Sequence, residues 1–441
     1  MFHSDATARF NELGNTLRDR VRVVQKTRTG PATRYSPYPV GRFGPEDVIG
    51  RVVMTEHVND GLGREVGRLW TLRGESVGLI DNAYQELKSL AEAMAKTAAL
   101  RGRVDVVFLV DEISLWIQAA LEGKTSEALV TCISRRCQEA IKEYEVWVPL
   151  FRVYASDPFQ IGDVLFQKIT PAMMDRFFTK PTSTPIPEAA RVRLGRLRSE
   201  LQNHLAACIT VTGEKKTAQG IARSKAEGAV ALVRFLSPAN WILDFQSYCL
   251  PLGRERIEIP TELFVAGGEI HEISRGTIER GPVFWDLDPD TARFPGLLDL
   301  LHALCRDHAS DFRHQLYDAL MLYSRNSTAS GTTDKLVFVL VSLESMLLKD
   351  ANEPISKNIG ERMAFLVGDS VEERRAVVRN VDAAYRIRSK FIHHGESAED
   401  SDVVEQFCAY AWQSFHALLH QVDAFTTKAA LIEALEHRKL A

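Results

Sequence analysis

The sequence predicts an α+β fold: a mixed N-terminal region with strand-rich parts, then an all-helical C-terminal region. Three observations predict it. Apolar and polar residues alternate over 47–72, and 145–170 is dense in Val, Leu and Phe between turn signals, as strands are. After Pro295 the apolar residues recur at helical spacing up to the C-terminus. The 441 residues exceed one ordinary core, so two or three domains are expected. With 45% apolar and 25% charged residues the balance is globular, which excludes a chain that is disordered or collagenous throughout.

Residues 1–45 are polar and basic with four prolines, which predicts a short helix and then an arm. Asn59-Asp60-Gly61 marks a turn between two strands. Ile80, Tyr84, Leu87, Leu90 and Met94 share a face, so a helix is expected over 79–100, and another over 126–144. Val146, Val148, Leu150 and Val153 read as strand, with a turn at Asp157-Pro158 and Gly162. The Thr/Pro-rich stretch 179–187 is the clearest linker. Helices over 187–209 and 216–235 follow, then an irregular strand-rich stretch over 239–288. The expected organisation is an α+β region over 1–180, a helical pair with a strand-rich segment over 181–290, and a helical bundle over 291–441.

The 54 basic and 58 acidic residues leave a net charge of −4, so binding a polyanion requires a local patch. The six cysteines lack CxxC spacing; the nearest two are Cys132 and Cys137. That argues against a zinc ribbon or disulfide framework and suits a reducing cytoplasm. No secretory leader is evident, and the best apolar run, Leu336 to Leu348, is too short to span a bilayer. The expectation is a cytoplasmic protein without a membrane partner.

Several motifs fail on inspection. Val106 to Glu112 looks like a Walker B strand and Gly123-Lys124-Thr125 like the tail of a phosphate loop. The glycine that such a loop requires five residues earlier is Gln118, and the order is reversed. Asp286, Asp288 and Asp290 start like a calcium loop, but Thr291 and Leu297 stand where glycine and glutamate belong. His416 and His420 share a helix face without a third ligand, and Glu214 with Lys216 lacks the partner aspartate of a metal nuclease. No metal and no cofactor is expected. A basic face over 187–225, with Arg191, Arg193, Arg196, Arg198, Lys215, Lys216, Arg223 and Lys225, could hold phosphates. Arg191, Arg198, Lys215 and Lys216 are its candidate RNA-binding residues.

The most informative stretch is Tyr385 to Gly395. Val381, Ala384, Ile387 and Phe391 have helical spacing, and Gly395 is a natural stop, so a helix ends at His393 or His394. Asp402 with Glu405 reads as the capping box of the next helix. Arg388, Ser389, Lys390, His393 and His394 therefore gather in two turns, with Arg388 and His393 about 140° apart around the axis. Cleaving RNA without a metal requires a base for the 2′-hydroxyl and an acid for the leaving 5′-oxygen, and histidine suits both near neutral pH. It also requires a fixed cation on the phosphorane, for which arginine's planar fork is best suited.

Three segments in order carry a family resemblance: Val341-Ser342-Leu343-Glu344-Ser345-Met346-Leu347, Ile359-Gly360-Glu361-Arg362-Met363-Ala364-Phe365-Leu366, and Arg388-Ser389-Lys390-Phe391-Ile392-His393. They resemble the A-L-E-x-L helix, the E-R-x-A-x-L helix and the R-x4–6-H motif of the HEPN superfamily, in its Apea-like group. The likeness covers residues 295–425. It implies a helical bundle that forms a homodimer, joining two motifs in one metal-independent endoribonuclease cleft. It also implies a role in bacterial anti-phage defence, abortive infection or toxin systems. By resemblance, Arg388 is the phosphate-binding cation and His393 the general acid or base. His394 stands where many relatives have glycine, which leaves open which imidazole acts. Glu344 either lines the cleft or orients Arg388. The acids Glu396, Glu399, Asp400 and Asp402 after the motif depart from what an RNA site favours.

Trp147-Val148-Pro149-Leu150, with Pro158 to Gly162, is similar to the strand-rich regions before HEPN domains in some defence proteins. That implies a sensor or scaffold for a phage-derived or nucleotide trigger. The competing expectation is a non-catalytic HEPN module that binds nucleotide, RNA or a partner protein.

Overall fold

The computed structural model describes residues 2–24, 56–178, 188–245, 249–252, 261–266, 269–275, 285–306, 310–329, 331–350, 352–394 and 400–440. The arm after residue 24, the 179–187 linker and Gly395 to Glu399 lie outside them. The fold is α+β: among the described residues every strand lies before residue 287, and helices run through the C-terminal region. Two compact units are distinguished. One comprises 1–146, 176–200 and 210–222; the other comprises 147–175, 201–209 and 223–441.

The first unit opens with α1 (Ser4–Asp19) and β1 (Arg22–Val23). The meander β2 (Glu56–Asn59), β3 (Glu65–Leu72) and β4 (Glu75–Ile80) pairs antiparallel, giving the sheet order β1-β4-β3-β2. The first turn forms where expected, because the Asp60 carboxylate accepts the backbone N–H groups of Leu62 and Arg64, both at 2.9 Å. The second turn, Arg73-Gly74, has both residues at positive φ, 52° and 87°, as a tight hairpin requires. Helices α2 (Asp81–Ala95), α3 (Val106–Leu121) and α4 (Leu129–Ala140) supply the core, with Leu87, Met94, Leu109, Ile113 and Ile133 buried.

Val106 to Glu112 is the start of a helix and not a strand. A short apolar run fits either element when both faces are buried. Here the Asp105 carboxylate caps the helix by accepting Val107 N–H at 2.8 Å. Its two acids are structural. Asp111 pairs with the buried Arg68, which Glu65 also holds at 2.8 Å, and Glu112 pairs with Arg136.

Strands β5 (Lys142–Phe151), β6 (Val153–Tyr154), β7 (Phe159–Ile161) and β8 (Val164–Lys168) follow, then α5 (Pro171–Phe178) and α6 (Glu188–Leu201). The helix expected over 187–209 stops at Leu201. Asn203 takes φ 69°, and Leu205–Gly213 forms strand β9. Ala206, Ala207 and Cys208 suit either element, and pairing with β8 decides between them. The helix expected over 126–144 is likewise shorter, because β5 begins at Lys142.

Helix α7 (Lys215–Val233) runs into a 3-10 turn at Arg234–Leu236. Glu214, only 6% exposed, caps α7 by accepting Lys216 N–H at 2.8 Å and Thr217 N–H at 3.2 Å, which explains the acid before Lys216. Strands β10 (Leu250–Pro251), β11 (Thr261–Ala266), β12 (Glu269–Arg275) and β13 (Trp285–Asp286) complete the strand-rich stretch. The larger sheet has the order β10-β5-β9-β8-β7; β11 pairs with β12, and β13 lies parallel to β6.

The remaining helices are α8 (Asp288–Arg293), α9 (Leu297–Arg306), α10 (Asp311–Tyr323), α11 (Thr332–Leu347), α12 (Ile355–Val367), α13 (Val371–His394), α14 (Ser401–His420) and α15 (Lys428–Leu440). Helix α14 packs on α11, α12 and α13, burying Leu343, Met363, Val381, Phe407 and Phe415. The cap of α14 is Asp400, which accepts Val403 N–H at 3.3 Å, two residues earlier than the expected box. Glu405 instead accepts Leu243 N–H at 3.2 Å. Among the described residues no helix is long and apolar enough to cross a membrane.

The calcium-like acids are occupied by protein donors. Asp288 accepts Ser156 N–H at 2.9 Å, and Asp290 accepts the Trp285 indole N–H at 2.7 Å.

Candidate active site

The last two turns of α13 carry the motif because of how that helix packs. Val377, Val381 and Ala384 recur at spacings of four and three and are buried against the bundle. Arg388, four residues on, continues that inward stripe and is half-buried. Arg386, Ser389 and Lys390 turn away and are exposed.

Helix α11 packs beside α13 and brings Glu344 to this stripe. The Tyr385 hydroxyl donates to Glu344 Oε1 at 2.9 Å. Burial pushes the Tyr385 hydroxyl pKa well up, the Glu344 carboxylate adds to that, and the Arg388 charge opposes it. Tyr385 therefore stays protonated and keeps donating. Glu344 meets the motif helix through Tyr385, a residue that sequence reasoning does not single out. Its signal is a phenol on an otherwise apolar inward face.

Arg388 makes no hydrogen bond or ion pair among the described residues. Residues 393 and 394 belong to the last turn of α13, but their side chains lie outside what is described.

The second resembling segment is a structural clamp. Arg362 on α12 is 2% exposed. It grips Glu353 with two bonds of 2.7 Å, donates to Leu347 O at 2.6 Å and reaches Glu436 at 2.9 Å. The guanidinium holds the Glu353 carboxyl at about 2, well below its ordinary 4.5. Glu361 accepts from Lys439 at 2.9 Å.

The other candidates lie elsewhere. Arg191 and Arg198 sit on α6 and are already engaged with other groups. Lys215 and Lys216 start α7, where Lys216 pairs with Asp105 at 3.6 Å. His416 stacks flat on Trp412, with ring centroids 5.1 Å apart and an interplanar angle of 9°, and meets His420 edge-on at 4.7 Å. Burial lowers its pKa, so it is neutral at pH 7. Among the described residues no three His, Cys, Asp or Glu side chains converge as metal ligands. No protein-family model, curated protein or solved structure matches the chain.

Proposed function

We propose that the protein is a metal-independent endoribonuclease of the HEPN kind, acting as a homodimer in bacterial defence against phage or in a toxin-like system. The observation that carries this reading is Arg388. It is a half-buried cation with no hydrogen-bond or ion-pair partner among the described residues, five positions before His393 and at the end of a bundle helix. A phosphate is an anion whose geometry such a fork matches, as a carboxylate's also does.

In the proposed reaction an imidazole of the His393–His394 pair takes the proton of a 2′-hydroxyl. The 2′-oxygen attacks the adjacent phosphorus, and the bond to the 5′-oxygen breaks. An imidazole of the second protomer protonates that leaving oxygen. Water is not consumed, so the products carry 2′,3′-cyclic phosphate and 5′-hydroxyl ends. Arg388 bears the charge that builds on the phosphorane. Glu344, held by the Tyr385 hydroxyl, is a supporting residue on the inward side of α13, and Ser389 and Lys390 lie on its solvent side.

Arg388→Ala tests the assignment. The variant is expected to melt at the wild-type temperature, because the deleted group holds no described partner, and to lose RNA cleavage. Wild-type cleavage by Arg388→Ala would reject the assignment. Retention of RNA by a wild-type chain that never cuts it would instead favour a binding module.

A further inference from the structure

We infer that the outward face of α13 is a track for the phosphate backbone of single-stranded RNA. From residue 375 to 390 six positions of this helix are exposed: Arg375, Arg379, Asp382, Arg386, Ser389 and Lys390. At 100° per residue all six fall within about 100° of arc, so they form one stripe, roughly 22 Å long at 1.5 Å per residue. Four are cations and one is an acid, a net excess of three positive charges on a chain whose overall charge is −4. The acid is engaged, because Asp382 accepts the Ser356 hydroxyl. None of the four cations has a hydrogen-bond or ion-pair partner among the described residues.

The chemistry of the stripe selects its occupant. A stable protein interface has an apolar or aromatic centre, and none of the six residues supplies one. A membrane-surface helix needs an apolar flank, and the apolar side of α13 is spent inside the bundle on Val377, Val381 and Ala384. An extended polyanion requires only cations in a row. The row also has a direction. Residue 393 lies seven positions after Arg386 and eighteen after Arg375, five full turns, so the stripe runs towards the histidine pair. That direction rests on the ribonuclease reading; the track itself does not.

The test uses the full chain and a labelled single-stranded RNA about twenty nucleotides long. Its 2′-hydroxyls are methylated so that it cannot be cut, and binding is titrated across salt. For single strands the log–log salt slope falls by about 0.7 for each phosphate that is no longer neutralised. Arg379→Glu with Arg386→Glu is expected to weaken binding by about tenfold or more at low salt and to flatten the slope by about 1.4. Arg438→Glu, an exposed charge reversal on α15, is expected to leave both unchanged. Equal losses in the two variants, or an unchanged slope in the first, would overturn the track, as would equally tight binding of polyglutamate by the wild type. Cleavage of unmodified RNA is followed in parallel. Absence of cleavage with stripe-dependent binding intact removes the ribonuclease reading and leaves the track standing. Wild-type cleavage and wild-type binding by the stripe variant remove the track alone.

Discussion

At the scale of single residues the bundle contains two arginines in opposite circumstances. Arg362 is buried and fully matched; Arg388 is half-buried and unmatched among the described residues. Their consequences differ accordingly. Arg362→Ala removes the guanidinium from Glu353, Glu436 and the Leu347 carbonyl, leaving Glu353 with Lys349 N–H and Glu436 with Lys439, and breaking a buried pair costs about 3–5 kcal/mol. Chemical denaturation should show a loss of that order. Arg362→Lys should restore little of it, because an ammonium cannot grip both Glu353 oxygens. The same pair sets an acid limit. Glu353 ionises in the folded chain at about 2, below its ordinary 4.5. Its contribution is therefore complete above about pH 4.5 and is lost as pH falls through about 2. Glu353→Gln should be less stable than wild type at neutral pH, with the gap closing across that window. A gap independent of pH would show that the carboxylate charge is not what stabilises.

Elements are legible in the sequence where one physical cause dominates. The inward stripe of α13 follows from its apolar spacing, and its end at His394 is within the two residues expected. The Asp60 turn follows from a carboxylate that reaches its own backbone. Val106 to Leu121 and Leu205 to Gly213 defeat sequence reading because apolar runs without a polar phase fit either a buried helix or a buried strand, and only the partner element decides. Gly78 shows what sequence cannot hold. It is central in β4, and a Cβ there would lie 2.1 Å from the Arg68 carbonyl and 2.7 Å from Leu69 Cδ2. That constraint arises from the neighbouring strand. Gly78→Ala should destabilise the first unit by about 1–3 kcal/mol or more, as overpacking does, read as a lower denaturation midpoint. An unchanged midpoint would mean that β3 and β4 part at no cost. The candidate site is half legible. Spacing brings out Arg388 and the histidine pair, but the Tyr385 link to Glu344 spans two helices and no local pattern encodes it.

At the scale of the whole molecule the expectation of strands first and helices last matches the architecture, and chemistry is proposed for the helical part alone. In the proposed reaction this part cuts RNA without a metal, through an imidazole of the His393–His394 pair and Arg388. The most direct measurement digests total cellular RNA with wild type and His393→Ala side by side, with EDTA present, and maps the product ends. Cleavage by wild type is expected with EDTA present, leaving 2′,3′-cyclic phosphate and 5′-hydroxyl ends, and its loss in His393→Ala would assign the acting imidazole of the pair to residue 393. Cleavage that EDTA abolishes, or products ending in 3′-hydroxyl and 5′-phosphate, would contradict it.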